Sequence, residues 1–313
     1  MTSSGSVNFD LTRNEIINDA LVLCGAIEAG ESPAATDTAY AARQLNRMVK
    51  SWQAAGTHLW SRRECYLFLS KGQASYRIGP NSTDHTAEID DAVRTQLSAN
   101  AALGAGSVSV DSTAGIAVSD NIGVVLDDGT IDWFTVSAIP GAITLSGTLT
   151  GAASENNQVF AYTSKIVRPL RIIDAQLTDE FDSDTPIIVF SHEEYQQTPN
   201  KTGVGRPNEL YYHPRIPDGS VYVWQAPSSS IWRVRMTCLL PLEDFDTSAN
   251  TADMPQEWLD ALVWGLARRL GTSYGTPALQ MADITQQAGA FYTALSMWDQ
   301  EPVSVFFSPA MME

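Results

Sequence analysis

Four histidines, three cysteines and 36 carboxylates are the side chains of this 313-residue sequence most able to do chemistry. A metal centre needs them at ligand spacing. His58, His85, His192 and His213 are far apart, and none forms HxH, HExxH or a ligand pair with Cys or a carboxylate. The plainer reading is polar surface or hydrogen-bonded histidine. Cys24, Cys65 and Cys238 contain no CxxC pair and are odd in number, which points away from a secreted disulfide framework and towards a reducing compartment. A Ser-His-Asp triad would draw on distant positions, and no G-x-S-x-G nucleophile elbow is expected.

The acidic pairs Asp127-Asp128, Asp179-Glu180, Glu193-Glu194 and Glu243-Asp244 could attract a cation or work as paired carboxylates. No EF-hand spacing accompanies them, and neighbouring acids in turn-rich sequence read as solvated turns. Gly104-Ala105-Gly106 and Gly203-Val204-Gly205 complete neither GxGxxG nor a Walker pattern, so they read as turns too. No catalytic residue, cofactor site or metal site is assigned, and no cofactor is expected.

The chain has 19 basic side chains, for a formal charge of −17. A protein that grips phosphate backbone carries a basic footprint, so simple nucleic-acid binding is disfavoured. The bases that are present are mostly arginine, the residue of bidentate and interface pairing. Arg62-Arg63 follows Trp60, Arg168 and Arg171 bracket Pro169-Leu170, and Arg268-Arg269 stands late in a helix, where a dipole would also favour it. The polar stretch Met1 to Asp10 lacks the pattern of a signal peptide, and no window approaches the roughly 18 apolar residues of a membrane span.

The elements that must position these residues are helices at both ends and strands between. Thr12 and Glu15 have capping-box spacing ahead of an apolar face (Ile16, Ile17, Ala20, Leu21, Cys24) that Gly25 can end. A second helix opens near Ser32-Pro33, carries Leu45, Met48, Val49 and Trp52, and stops at Gly56. A third runs from Pro255 to Gly271. A fourth opens at Thr276-Pro277 with Leu279, Ile284, Ala288, Phe291, Leu295 and Trp298 at three- and four-residue steps. Short amphipathic helices must bury their stripes on one another, which predicts one bundle from both ends.

Between them, Cys65–Leu69 and Tyr76–Ile78 read as a hairpin around Lys71-Gly72-Gln73, followed by strands near 187–190, 209–212, 221–224 and 232–236. The last alternates apolar residues with Arg, as on a sheet with one wet face. The segment from Ala101 to Tyr162 is richer in Gly, Ala, Ser, Thr and Val, and has a hairpin turn at Asp127-Asp128-Gly129-Thr130. The expected fold is therefore α+β: a helical bundle (10–57 with 254–300), an antiparallel β-domain (58–84 with 165–253), a small inserted β-barrel or sandwich (85–164) and an extended tail (301–313). That tail, EPVSVFFSPAMME, is unusually apolar for a chain end and suits docking on a protein surface.

Several stretches together resemble the head-to-tail adaptor proteins, also called tail accessory or head-completion proteins, of short-tailed bacteriophages. They are LTRNEIINDALVLCGAIEAGESP from Leu11, Ala41-Ala42-Arg43-Gln44-Leu45-Asn46, Ser51-Trp52-Gln53-Ala54-Ala55-Gly56, and Lys71 to Gly79. Gly205-Arg206-Pro207, Leu239 to Leu242, Pro255-Gln256-Glu257-Trp258 and Leu259 to Gly271 extend the resemblance to about residue 300, and SVSVDSTAGIAVSDNIGVVLDDGTIDWFTV resembles that group's β-insert.

The resemblance implies a non-enzymatic virion protein at the head-tail junction, assembled from host cytoplasm as a closed ring of about twelve copies beneath the portal. Its partners would be the portal protein, neighbouring adaptor subunits, and tail hub, nozzle or fibre proteins, with genomic DNA passing through the lumen unread. Val303, Val305, Phe306, Phe307, Met311 and Met312 would then be portal-binding tail residues, and Arg268, Arg269 and Trp298 candidates for ring or portal contact. A peptidoglycan-cleaving tail enzyme and a cell-surface-binding tail module are the alternatives.

Overall fold

A computed structural model describes residues 5–6, 8–55 and 59–298, except for the side chains of 55, 59 and 298. The protein is a mixed α+β chain of two compact units, one formed by Met1–Ser61 with Leu242–Glu313 and the other by Arg62–Pro241. Its helices are α1 (Arg13–Leu23), α2 (Ala35–Ala55), α3 (His192–Gln197), α4 (Leu259–Tyr274) and α5 (Ala278–Trp298).

In the first unit, α1, α2, α4 and α5 share one apolar core. Helix α1 begins where the Thr12 hydroxyl accepts from the Glu15 N–H and the Glu15 carboxylate accepts from the Thr12 N–H at 2.8 Å. It ends at Cys24, where Gly25 takes a φ of 72°. Leu45, Met48 and Val49 of α2 are buried against α4. Gly265 permits that approach, since a Cβ there would lie 2.9 Å from both Met48 Sδ and the Trp52 ring.

Gly271, expected to close α4, does not. The helix continues to Tyr274 and closes at Gly275, whose φ of 70° is the left-handed cap conformation. Gly271 serves α5 instead, because a Cβ would stand 2.8 Å from Met281 Sδ. Leu279, expected on the buried stripe of α5, is 87% exposed, whereas Ile284 and Ala288 are buried. The segment 242–253, read from sequence with the β-domain, lies in the helical unit: Leu242 and Phe245 enter its core, and the Phe245 N–H donates to Asn46 Oδ1 at 2.9 Å.

The second unit is built from strands β1 (Arg62–Phe68), β2 (Ser75–Ile78), β3 (Thr86–Glu88), β4 (Val93–Gln96), β5 (Ser107–Val108), β6 (Asn121–Val125), β7 (Ile131–Ala138) and β8 (Ile143–Leu145). The remainder are β9 (Gln158–Tyr162), β10 (Arg171–Thr178), β11 (Asp184–Phe190), β12 (Val204–Gly205), β13 (Glu209–His213), β14 (Gly219–Trp224), β15 (Ala226–Pro227) and β16 (Arg233–Leu239). The larger sheet has the order β2-β14-β13-β11-β10-β16-β1-β3. The hairpin expected between β1 and β2 does not form. The Ser70–Gln73 turn is present, but β1 pairs with β16 and β3, and β2 with β14. Apolar faces found better partners far along the chain than across the turn.

This sheet also departs from an all-antiparallel expectation. β11 and β13 run parallel, a pairing that needs a crossover, and α3 lies within that connection.

The smaller sheet has the order β4-β9-β6-β7-β8-β5. A bridge from Leu97, just past β4, to Val110, just past β5, joins its two ends, so it is a nearly closed barrel. The turn between β6 and β7 falls at Asp127–Thr130, with Gly129 at φ 82°.

An aromatic cluster fuses barrel to sheet: Phe68 of β1 packs on Trp133, Phe160 and Tyr162 of the barrel at centroid distances of 5.2 to 5.7 Å. Arg233 lies beside it, 4% exposed, with its guanidinium over Tyr66 (4.7 Å) and Phe160 (5.4 Å) and paired to Asp182. Asp182 also binds Arg94 of β4 at 2.7 Å. The wet face expected along β16 is thus covered at Arg233 by Phe160 of the barrel together with Tyr66 of β1 and Asp182 of the β10–β11 turn.

Candidate functional site

Four arginines gather where α2 and α4 run side by side. Arg269 is half-buried and donates from Nη2 to Ser51 Oγ at 2.7 Å. Its guanidinium pKa is lowered, first by burial and then by the positive charges of Arg268 and Arg47. Arg43 stands one turn before Arg47 on α2 and shares its face. Arg43, Arg47 and Arg268 are exposed. Among the described residues none of the four has a carboxylate at ion-pair distance, although Lys50, further along α2, does pair with Asp244 at 2.9 Å. Because α4 runs on to Tyr274, the arginines lie outside its last turn, and its dipole does not account for them.

Like charges held together on a chain of net charge −17 raise its free energy unless something else neutralises them. This is the opposite of the usual surface pattern, in which scarce bases are distributed among the acids.

Helix α5 presents a second unusual surface. Its 21 residues include one charged side chain, Asp283. The face turned from the core carries Leu279, Ala282, Gln286, Ala290, Thr293 and Met297, all exposed. A shallow recess of about 570 Å³ lies beside Leu279 and Asp283. Trp298 ends this helix, and its side chain lies outside the described residues. So do the tail residues Val303, Val305, Phe306, Phe307, Met311 and Met312, and His58 and Gly56.

A third feature is a cleft of about 560 Å³ at the start of α1 and α2, lined by Asn14, Glu15, Asn18, Asp19, Ser32 and Thr38 among others. The Asp19 pKa is raised, by partial burial first and by the Glu15 charge second. The Glu15 pKa is lowered by its bonds to Thr12.

The residues that could do chemistry are held in structural work. His85 stacks on Trp133 at 3.8 Å and bonds the Tyr162 hydroxyl at 2.6 Å; burial, then Lys165, push its pKa down to about 3. Tyr211 Oη lies 2.9 Å from His192 Nδ1 and 3.1 Å from His213 Nδ1.

The acidic pairs build local structure. Asp127 accepts from Ser154 and Asn157, Asp128 from Thr130, and Asp179 from the Phe181 and Ser183 N–H groups; these bonds lower all three pKa values. Glu194 closes a capping box with Ser191 at the start of α3, a helix the sequence reading did not identify. The three cysteines are free and buried.

One match escaped the sequence reading. Gly271-Thr272-Ser273-Tyr274-Gly275 does spell G-x-S-x-G. It is not an elbow, because Ser273 sits inside α4 and its Oγ bonds the Tyr40 hydroxyl at 2.8 Å. Among the described residues no group of three His, Cys, Asp or Glu side chains is placed to hold a metal, and no helix is long and apolar enough to cross a membrane. No protein-family model matches the chain, and no curated protein matches it either.

Proposed function

We propose that the chain is a structural virion protein, a ring-forming head-to-tail adaptor that sits under a portal, extends the DNA channel and offers the attachment surface for tail components. The observation that carries this reading is the segregation of charge on the helical unit. Four arginines without carboxylate partners among the described residues and an almost uncharged helix face lie on a strongly acidic chain. Isolated domains rarely keep such surfaces bare, whereas an assembling subunit needs them to offset repulsion between acidic copies. The same net charge suits a channel wall that lets DNA phosphates slide without sticking.

In this reading the helices from both chain ends form the bundle that docks on the portal, with 301–313 running along it, and the sheet with its barrel faces the tail. The resemblance of residues 11–300 to the adaptor family supports the same assignment. Deletion of 301–313 tests it. The truncated chain should remain folded by circular dichroism and lose portal binding in co-sedimentation; unimpaired binding would remove the tail from the account.

A further inference from the structure

The arginine face and the acidic cleft belong to the same unit, and α2 carries part of both. Thr38, which lines the cleft, and Arg47 are nine residues apart on this helix. At 3.6 residues per turn that is roughly two and a half turns, so they project from opposite sides of α2. Arg43 is about 140° around from Thr38 by the same count. A surface that is basic on one side and acidic on the other cannot satisfy itself within one copy. It can satisfy a neighbour facing the same way.

We infer that the arginine face of one copy (Arg43, Arg47, Arg268, Arg269) docks into the Glu15–Asp19 cleft of a second copy of this chain, forming a head-to-tail contact. Charge complementarity selects the occupant. Among the described residues the cations lack carboxylates of their own, and neither Glu15 nor Asp19 has a basic partner. The cleft is concave and wide enough to receive arginine side chains, and docking there would relieve both the Asp19–Glu15 repulsion and that within the arginine group. A contact between unlike faces is heterologous, so repetition yields a closed ring or an open filament and never a two-fold dimer. The inference rests on the adaptor reading for the ring and supplies the interface that reading leaves unspecified.

Cysteine cross-linking of the full chain tests it, because the native thiols are buried and would not compete. Arg268→Cys and Asp19→Cys chains, mixed in the presence of assembled portal protein and treated with a short bis-maleimide, should give a mixed dimer, and either alone on the portal should give none. The Arg268→Cys/Asp19→Cys double variant should give a ladder. Adding Arg43→Glu and Arg47→Glu to the Arg268→Cys chain should lower the mixed dimer about tenfold, and adding Glu15→Lys to the Asp19→Cys chain should restore it against that reversed face. Homodimers of Arg268→Cys as abundant as the mixed product would show a two-fold contact and overturn the inference. Loss of portal binding by the reversed face without any mixed cross-link would assign the face to the portal and overturn it as well. If a ring forms on the portal while no mixed cross-link appears, this contact is wrong and the adaptor reading survives. If neither appears, both fall.

Discussion

Arg233 and the Arg268-Arg269 pair use the same side chain in opposite ways. In the β unit Arg233 is enclosed: aromatic rings cover its guanidinium, Asp182 pairs with it, and Arg94 shares that carboxylate. In the helical unit Arg268 is exposed and Arg269 is half-buried among other arginines, its one bond in this region going to a serine. The first arrangement locks a barrel onto a sheet. The second leaves interaction capacity unspent. A charged residue enclosed and paired works inside the fold, whereas one grouped with its own kind and left open is, on the reading proposed above, available to another molecule.

The contrast can be broken from either side. Arg233→Ala should destabilise the β unit by about 4 kcal/mol, since it removes both the ion pair and the packing over Tyr66 and Phe160. Urea unfolding followed by the near-ultraviolet signal of Trp133 would read this.

His85 sharpens the picture of a closed junction. It stays neutral in the fold down to a pKa of about 3, while in the unfolded chain it takes up a proton near its ordinary 6.5. The unfolded state therefore binds more protons in that window. His85 contributes its full stability above pH 6.5 and loses it progressively as pH falls towards 3. His85→Gln should flatten that part of the stability–pH curve in parallel denaturation series.

Effects in the helical unit should be smaller. Gly265→Leu would push into Met48 and the Trp52 ring, costing roughly 1–3 kcal/mol, with Tm as the readout. Thr12→Ala removes one half of the α1 capping box and should cost about 1 kcal/mol. Arg268→Ala should change stability by no more than about 0.5 kcal/mol and still weaken assembly. A large stability loss at Arg268 would make it a second Arg233 and erase the difference.

What could be read ahead of the structure was local. The Thr12–Glu15 box, the Gly25 stop and the Asp127–Thr130 turn depend on residues within a few positions of one another, and each is present. The Ser191–Glu194 box has the same spacing but opens a helix of only six residues, too brief for an apolar stripe to announce. Pairings that depend on distant strands were out of reach: β1 takes β16 as its neighbour because their apolar faces match, whatever the adjacent turn favours. Gly271 had the composition of a stop, yet its function is close approach to Met281, a tertiary fact.

The candidate surface was half visible. Arg268-Arg269 stands out in the sequence, but Arg47 joins it only because Gly265 brings α2 against α4. The covering of Arg233 likewise required knowing where the barrel sits on β16.

The central claim is assembly, and mass is its most direct measure. Native mass spectrometry or sedimentation of the full chain, alone and with the portal protein of the same virion, would decide it. A folded monomer by itself and a large ring of fixed copy number on the portal is the predicted result. A chain that stays monomeric and unbound in the presence of assembled portal would contradict the account.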